Sequence, residues 1–146
     1  MIPVGPTSIP ENILKDSVLA YIAAAYFSVG KQLERKTGCS ATRGFILSTL
    51  RAGAALNQNQ IAKLLGFDRT VVHRTIKTLV REELVAEKKA NKGRAILLSL
   101  TAKGNKYRER LIKARIAADE KIRKLLSENE RAELVRLLKH ISELKV

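Results

Sequence analysis

A mainly α-helical fold with one small β-hairpin is predicted by three observations. Helical periodicity runs through most of the chain; two short helical patterns meet across a glycine between Asn57 and Leu79; and two strand-like runs flank Asn91-Lys92-Gly93. The central stretch reads NQNQIAKLLGFDRTVVHRTIKTL. Its first helix is apolar at Ile61, Ala62, Leu64 and Leu65, with Asn57 placed to accept from the orphan donors at its start. Gly66 falls where a left-handed helix end is needed, a conformation only glycine takes without steric cost. Asp68 caps a second helix with Val72, Ile76 and Leu79 at i, i+4 and i+7. The opposite face carries Arg69, Thr70, His73, Arg74 and Lys77, with Val71 beside them. Such a pair is a helix-turn-helix, whose second helix turns a basic, hydrogen-bonding face to a DNA groove.

The hairpin extends this motif. Leu84–Lys89 and Arg94–Leu100 are strand-like, with Ile96, Leu98 and Leu100 on one face. Asn91-Lys92-Gly93 is a turn signal, and Lys88, Lys89, Lys92 and Arg94 make the hairpin basic. A helix-turn-helix followed by a basic hairpin is a winged helix.

Taken in order, residues 1–10 hold three prolines and a glycine and read as a flexible arm. Ser8 with Glu11 three residues on begins a first helix, with Pro10 tolerated in its first turn. It runs to about Lys36 with Leu14, Val18, Tyr21, Ile22, Ala25, Val29 and Leu33 on one side, and Thr37-Gly38 ends it. A second helix, from about Ala41 to Arg51, contributes Phe45, Ile46, Thr49 and Leu50, and Leu56 joins the core. After Thr101 a long helix carries Tyr107, Leu111, Ala114, Ala118, Ile122 and Leu125. Ser127 with Glu130 is a capping box opening a last helix striped with Leu134, Leu137, Leu138, Ile141 and Leu144. The winged helix-turn-helix thus occupies residues 37–101, flanked by a helical dimerisation region over 11–36 and 102–146. The terminal stripes need a partner, and a second copy is the simplest.

The run from Asn57 through Arg94 to Leu100-Thr101-Ala102-Lys103-Gly104 resembles the MarR family of bacterial and archaeal transcription regulators. There a recognition helix leads into a winged hairpin, and a Leu-Thr-x-x-Gly signature opens a long helix. The resemblance spans nearly the whole chain after Pro10. It departs at the wing tip: the family's Asp-x-Arg keeps its arginine as Arg94, but Lys92 stands in place of the aspartate. The resemblance implies a homodimer joined through the terminal helices. It implies a regulator, by preference a repressor, acting on double-stranded DNA at an inverted repeat. It also implies a small, often aromatic, anionic effector in the cleft between the winged domain and the dimer helices. Tyr21, Tyr26, Arg43 and Arg51 are the candidate walls and cations, although each reads equally well as core stripe or solvated helix residue.

Composition supports an anionic partner. The net charge is +14, and residues 57–104 carry +6 of it, with Glu82, Glu83 and Glu87 away from the recognition face. No apolar run approaches the ~18 residues that span a membrane, and without a basic-then-apolar leader at its start the protein is expected to stay in the cytoplasm. Phosphate-loop, nucleophile-elbow and dinucleotide motifs are missing, and two histidines leave no His-rich metal cluster, so neither an enzyme nor a cofactor is expected. Aromatic residues make up 4%, too few for a single-strand stacking platform. Cys39 rules out an internal disulfide. It reads either as a buried small residue or as an oxidant sensor with Lys36 and Arg43 lowering its pKa. Other function classes remain: a low-specificity DNA-compacting protein, and a small-molecule carrier on this scaffold.

Overall fold

The structure, a computed structural model, describes residues 16–50 and 55–145. Six helices and one hairpin follow in the order α1 (Val18–Thr37), α2 (Ala41–Thr49), α3 (Gln58–Leu65), α4 (Arg69–Arg81), β1 (Val85–Lys89), β2 (Ile96–Leu100), α5 (Ala102–Leu125) and α6 (Glu128–Ser142). The mainly helical fold with a small hairpin is the one the periodicity predicts.

Local chemistry sets most helix ends. Asn57 and Gln60 form a reciprocal capping box at α3, each side-chain oxygen accepting from the other's backbone N–H at 2.9 Å. Gly66 ends α3 at φ 64°, and Phe67 N–H reaches back to the carbonyl of Ala62 at 3.1 Å. Asp68 caps α4 by accepting from Thr70 N–H at 2.7 Å, and Ser127 with Glu130 boxes the start of α6.

The start of α1 corrects the sequence reading. Asp16 takes φ 70° and Ser17 is extended, so no helix runs through them; Ser17 caps α1 by accepting from Ala20 N–H. An N-cap oxygen immediately before a long apolar run favours a helix start there. Ser8, Glu11, Leu14 and the residue-1–10 arm lie outside the described residues, as do Gly53, Ala54 and Arg51.

Among the described residues the buried hydrophobic core sits in the winged segment, with Tyr107 and Leu111 of α5 packed against it. Ile46, Leu47 and Leu50 of α2, Ile61 of α3, Val72, Ile76 and Leu79 of α4 and Leu98 of β2 are all fully buried. The hairpin is antiparallel, from Val85 opposite Leu100 to Lys89 opposite Ile96. Leu56 adds an isolated antiparallel bridge to β2, exchanging backbone hydrogen bonds with Leu98 at 3.1 and 2.8 Å. Three apolar expectations fail. Leu64 is 66% exposed because Ile61, Ala62 and Leu65 already fill the one face of α3 that meets the core. Phe45 is half-exposed, its ring edge-on to Phe67, while Leu47 takes the interior position. Ile96 is exposed because it lies beyond the core at the far end of the hairpin.

Outside the winged segment burial almost stops. Helices α1 and α6 have no buried residue, and α5 has only Gly104. Exposed apolar side chains line them: Val18, Leu19, Tyr21, Tyr26 and Phe27 on α1, and Leu134, Leu137, Leu138 and Ile141 on α6. A free-standing chain would hold such patches in water at a cost, so they point to further burial.

Candidate nucleic-acid interface

Helix α4 divides sharply along its length. Val72, Ile76 and Leu79 are at zero exposure, while Arg69, Thr70, Val71, His73, Arg74 and Lys77 are all exposed. The core stripe, by anchoring one face, fixes which face the others present. His73 is further oriented from α3: its Nδ1 lies 3.1 Å from Gln58 Oε1. An amide oxygen only accepts, so Nδ1 is the donor in this contact. Thr75 and Thr78 turn their hydroxyls back to backbone carbonyls of α4 and take no part in the outer face.

The wing places Lys88 and Lys89 on β1, with Lys92 and Arg94 in the turn, all exposed. Gly93 at φ 85° makes the turn, closed by Ala90 N–H donating to Ala95 C=O at 2.9 Å. Among the described residues, the ion pairs engage none of Arg69, Arg74, Lys77, Lys88, Lys89, Lys92 or Arg94. Three of the four acids of residues 57–104 are engaged elsewhere, and Glu87 lies exposed on β1. Asp68 serves the cap, and its backbone hydrogen bond from Thr70 holds its carboxyl below the usual range. Glu82 holds Arg43, and Glu83 lies 3.9 Å from Lys103. Uncompensated cations on a groove-sized helix and a projecting hairpin suit a polyanion.

The proposed effector residues are differently placed. Arg43 is not a free cation: its guanidinium forks onto Glu82, Nη1 donating to Oε1 at 2.9 Å and Nη2 to Oε2. Tyr21 and Tyr26 are exposed on α1, Tyr26 edge-on to Phe27. A cavity of about 290 Å³ opens between α1 and α5, lined by Val29, Leu33, Ala118 and Ile122 with Lys36 and Lys121 at its edge, and by none of the three. Cys39 is buried, and its burial outweighs the lowering by Tyr107 and Arg43, so the thiol is pushed up, away from the reactive thiolate. Sequence reading missed the Arg43–Glu82 pair and the bond from Lys103 Nζ to the Glu82 carbonyl, 2.8 Å; neither has a local signature.

The architecture is that of a winged helix with a cationic outer face on α4 and the hairpin. A family model described as a winged helix DNA-binding domain matches residues 44–104. Over most of its length the chain shares its fold with solved MarR structures. It is similar to a mutant MarR from E. coli complexed with operator DNA, with 20% identity, a TM-score of 0.79, and 92% of this chain and 99% of that one covered. It is also similar to the transcriptional repressor CouR bound to a 23-mer DNA duplex, with 20% identity, a TM-score of 0.82, and 93% and 99% covered. The PcaV transcriptional regulator from Streptomyces coelicolor, in complex with its natural ligand, has 18% identity, a TM-score of 0.79, and 93% and 96% covered. No curated protein matches the chain. Among the described residues no helix is long and apolar enough to cross a membrane.

Proposed function

We propose that this chain is a MarR-family transcription regulator, a homodimer that reads an inverted-repeat operator in double-stranded DNA and represses from it. The observation that carries the reading is α4 itself. Its buried stripe locks six polar, cationic or methyl-bearing side chains outward, none committed to an acidic partner among the described residues. Arginine there has the fork geometry for guanine O6 and N7, while the wing lysines suit phosphate.

Homodimerisation is supported by the apolar stripes of α1 and α6, which one chain leaves exposed. A twofold axis through them would set the spacing of two recognition helices, about 34–36 Å for successive major grooves. Release by a small aromatic anion rests on Tyr21, Tyr26 and Arg43, with Arg51 outside the described residues. Because Glu82 already holds the Arg43 fork, such an anion has to compete with it.

Selection of a duplex from a random pool, followed by competition against bulk DNA, tests the function. A specificity ratio of at least about 10³ is expected of a regulator. The net charge of +14 favours one other reading, a low-specificity DNA-compacting protein, and a ratio near unity would establish it instead.

A further inference from the structure

We infer that Arg43 is a positioning residue for DNA recognition, clamping the C-terminal end of the recognition helix α4 to α2 through Glu82; this rests on the DNA-reading role proposed above. Glu82 is the C-cap residue of α4, and its carboxylate takes both arms of the Arg43 guanidinium across 39 positions of sequence. Arg43 makes this pair from a largely shielded side chain, 19% exposed, against 42% for Glu82. Its Nε is buried with no acceptor, so the fork onto Glu82 is where its hydrogen bonding is spent. Tyr107 of α5 and Cys39 lie close enough to influence the guanidinium, which places it where α2, α4 and α5 converge.

The same end of α4 is held from a second side. Lys103 Nζ donates to the Glu82 carbonyl at 2.8 Å, Thr101 Oγ1 donates to the Glu83 carbonyl at 2.6 Å, and Thr101 N–H donates to Leu84 C=O at 3.1 Å. Glu83 stands at φ 61°, a left-handed conformation uncommon for a non-glycine residue. The base-facing residues Arg69 and Thr70 lie at the opposite end. Thirteen residues of helix measure about 20 Å, so a tilt of about 5° at Glu82 moves Arg69 by about 1.7 Å. A displacement of that size breaks hydrogen-bond geometry. The clamp therefore bears on sequence reading more than on charge attraction.

The charges make the test discriminating. Glu82→Gln makes the chain more positive, so simple attraction predicts tighter binding to every duplex. The clamp predicts a poorer ratio of selected to scrambled duplex. The full chain is compared with Arg43→Gln, Glu82→Gln and Arg43→Lys on a duplex enriched by the wild type and on its scrambled counterpart. Backbone amide exchange is followed without DNA. The expected result is a loss of about tenfold in the ratio for both neutral variants, the scale of one base contact. Arg43→Lys, which keeps the charge but not the fork, should recover only part of it. Amides of Glu82, Glu83 and Leu84 should exchange faster while those of Ile61 and Ile76 stay protected. A ratio within twofold of wild type in both neutral variants overturns the inference, and so does uniformly faster exchange across the core. If the wild type enriches no sequence, the regulator reading fails by itself. Exchange then decides the clamp, and undisturbed amides at 82–84 in Arg43→Gln would dispose of it.

Discussion

A side chain at Gly104 would put its Cβ 1.9 Å from the carbonyl oxygen of Leu84. Gly104 is buried in the first turn of α5, where its N–H also donates to Thr101 Oγ1 at 2.9 Å. The glycine is there for space, since its backbone is ordinary helix, and it lets α5 rest directly on the link between α4 and β1. Gly104→Ala gains about 1 kcal/mol of helix propensity. The clash is with backbone, however, and overpacking of this kind costs about 1–3 kcal/mol or more. Net destabilisation is expected in a denaturant titration, and a midpoint at or above wild type would show that the junction yields freely.

The exposed face of α4 and the wing should respond differently to truncation. Arg74→Ala or Arg69→Ala should cost about 1–3 kcal/mol and relax one position of the selected sequence. Thr70, Val71 and His73 should alter preference by less. Lys88→Ala, Lys89→Ala or Lys92→Ala should weaken all duplexes alike and flatten the salt dependence by about 0.9 unit for each phosphate no longer neutralised. Site selection with Arg74→Ala that returns the wild-type preference would remove Arg74 from the base readers.

Arg94 stands at the wing with Lys92 where the MarR pattern has an aspartate, and no ion pair among the described residues holds it. A cation carried on a hairpin beside a half-site meets the deepest negative potential in a narrow A·T-rich minor groove. Arg94→Ala should therefore lose affinity mainly on A·T-flanked operators. Equal losses on G·C-flanked ones would argue for a phosphate contact.

Assembly and binding should fail together. Leu138 and Ile141 are 41% and 40% exposed on α6, among the apolar side chains that a partner would cover. Leu138→Asp or Ile141→Asp would bury a carboxylate in that interface, at a cost of several kcal/mol. Sedimentation should report monomer, with specific binding gone. A folded monomer retaining full operator affinity would mean that the terminal helices serve another purpose.

Acid should loosen both ends of the recognition helix. The Arg43 hydrogen bonds hold the Glu82 carboxyl below the usual carboxylate range, and the Thr70 N–H does the same for Asp68. A depressed folded-state pKa adds stability that is complete above the unfolded value, about 4, and is lost as pH falls through the folded value. Stability measured from neutral pH downward should therefore decline below the ordinary carboxylate range. Arg43→Gln should remove the Glu82 share of that decline; an identical pH profile in the variant would contradict the pairing.

The amino-acid sequence by itself determined the elements whose physics is local. Asn57 with Gln60, Gly66, Asp68 and Ser127 with Glu130 close hydrogen bonds within a few residues, so residue type and spacing announce them. The stripe of Val72, Ile76 and Leu79 likewise declares which face of α4 stays outside, and Leu100-Thr101 with Gly104 marks the start of α5. Tertiary structure alone decided which of several equivalent residues the core would take: Leu65 and Leu47 over the more exposed Leu64 and Phe45. It also decided that Leu56 pairs with Leu98, and that Arg43 spends its charge on Glu82 instead of standing free in a cleft. These partners are 39 or more positions apart, and nothing along the chain records how helices cross. Only the packed core brings them together, because burial selects by the position of a side chain in space and not by its spacing in sequence.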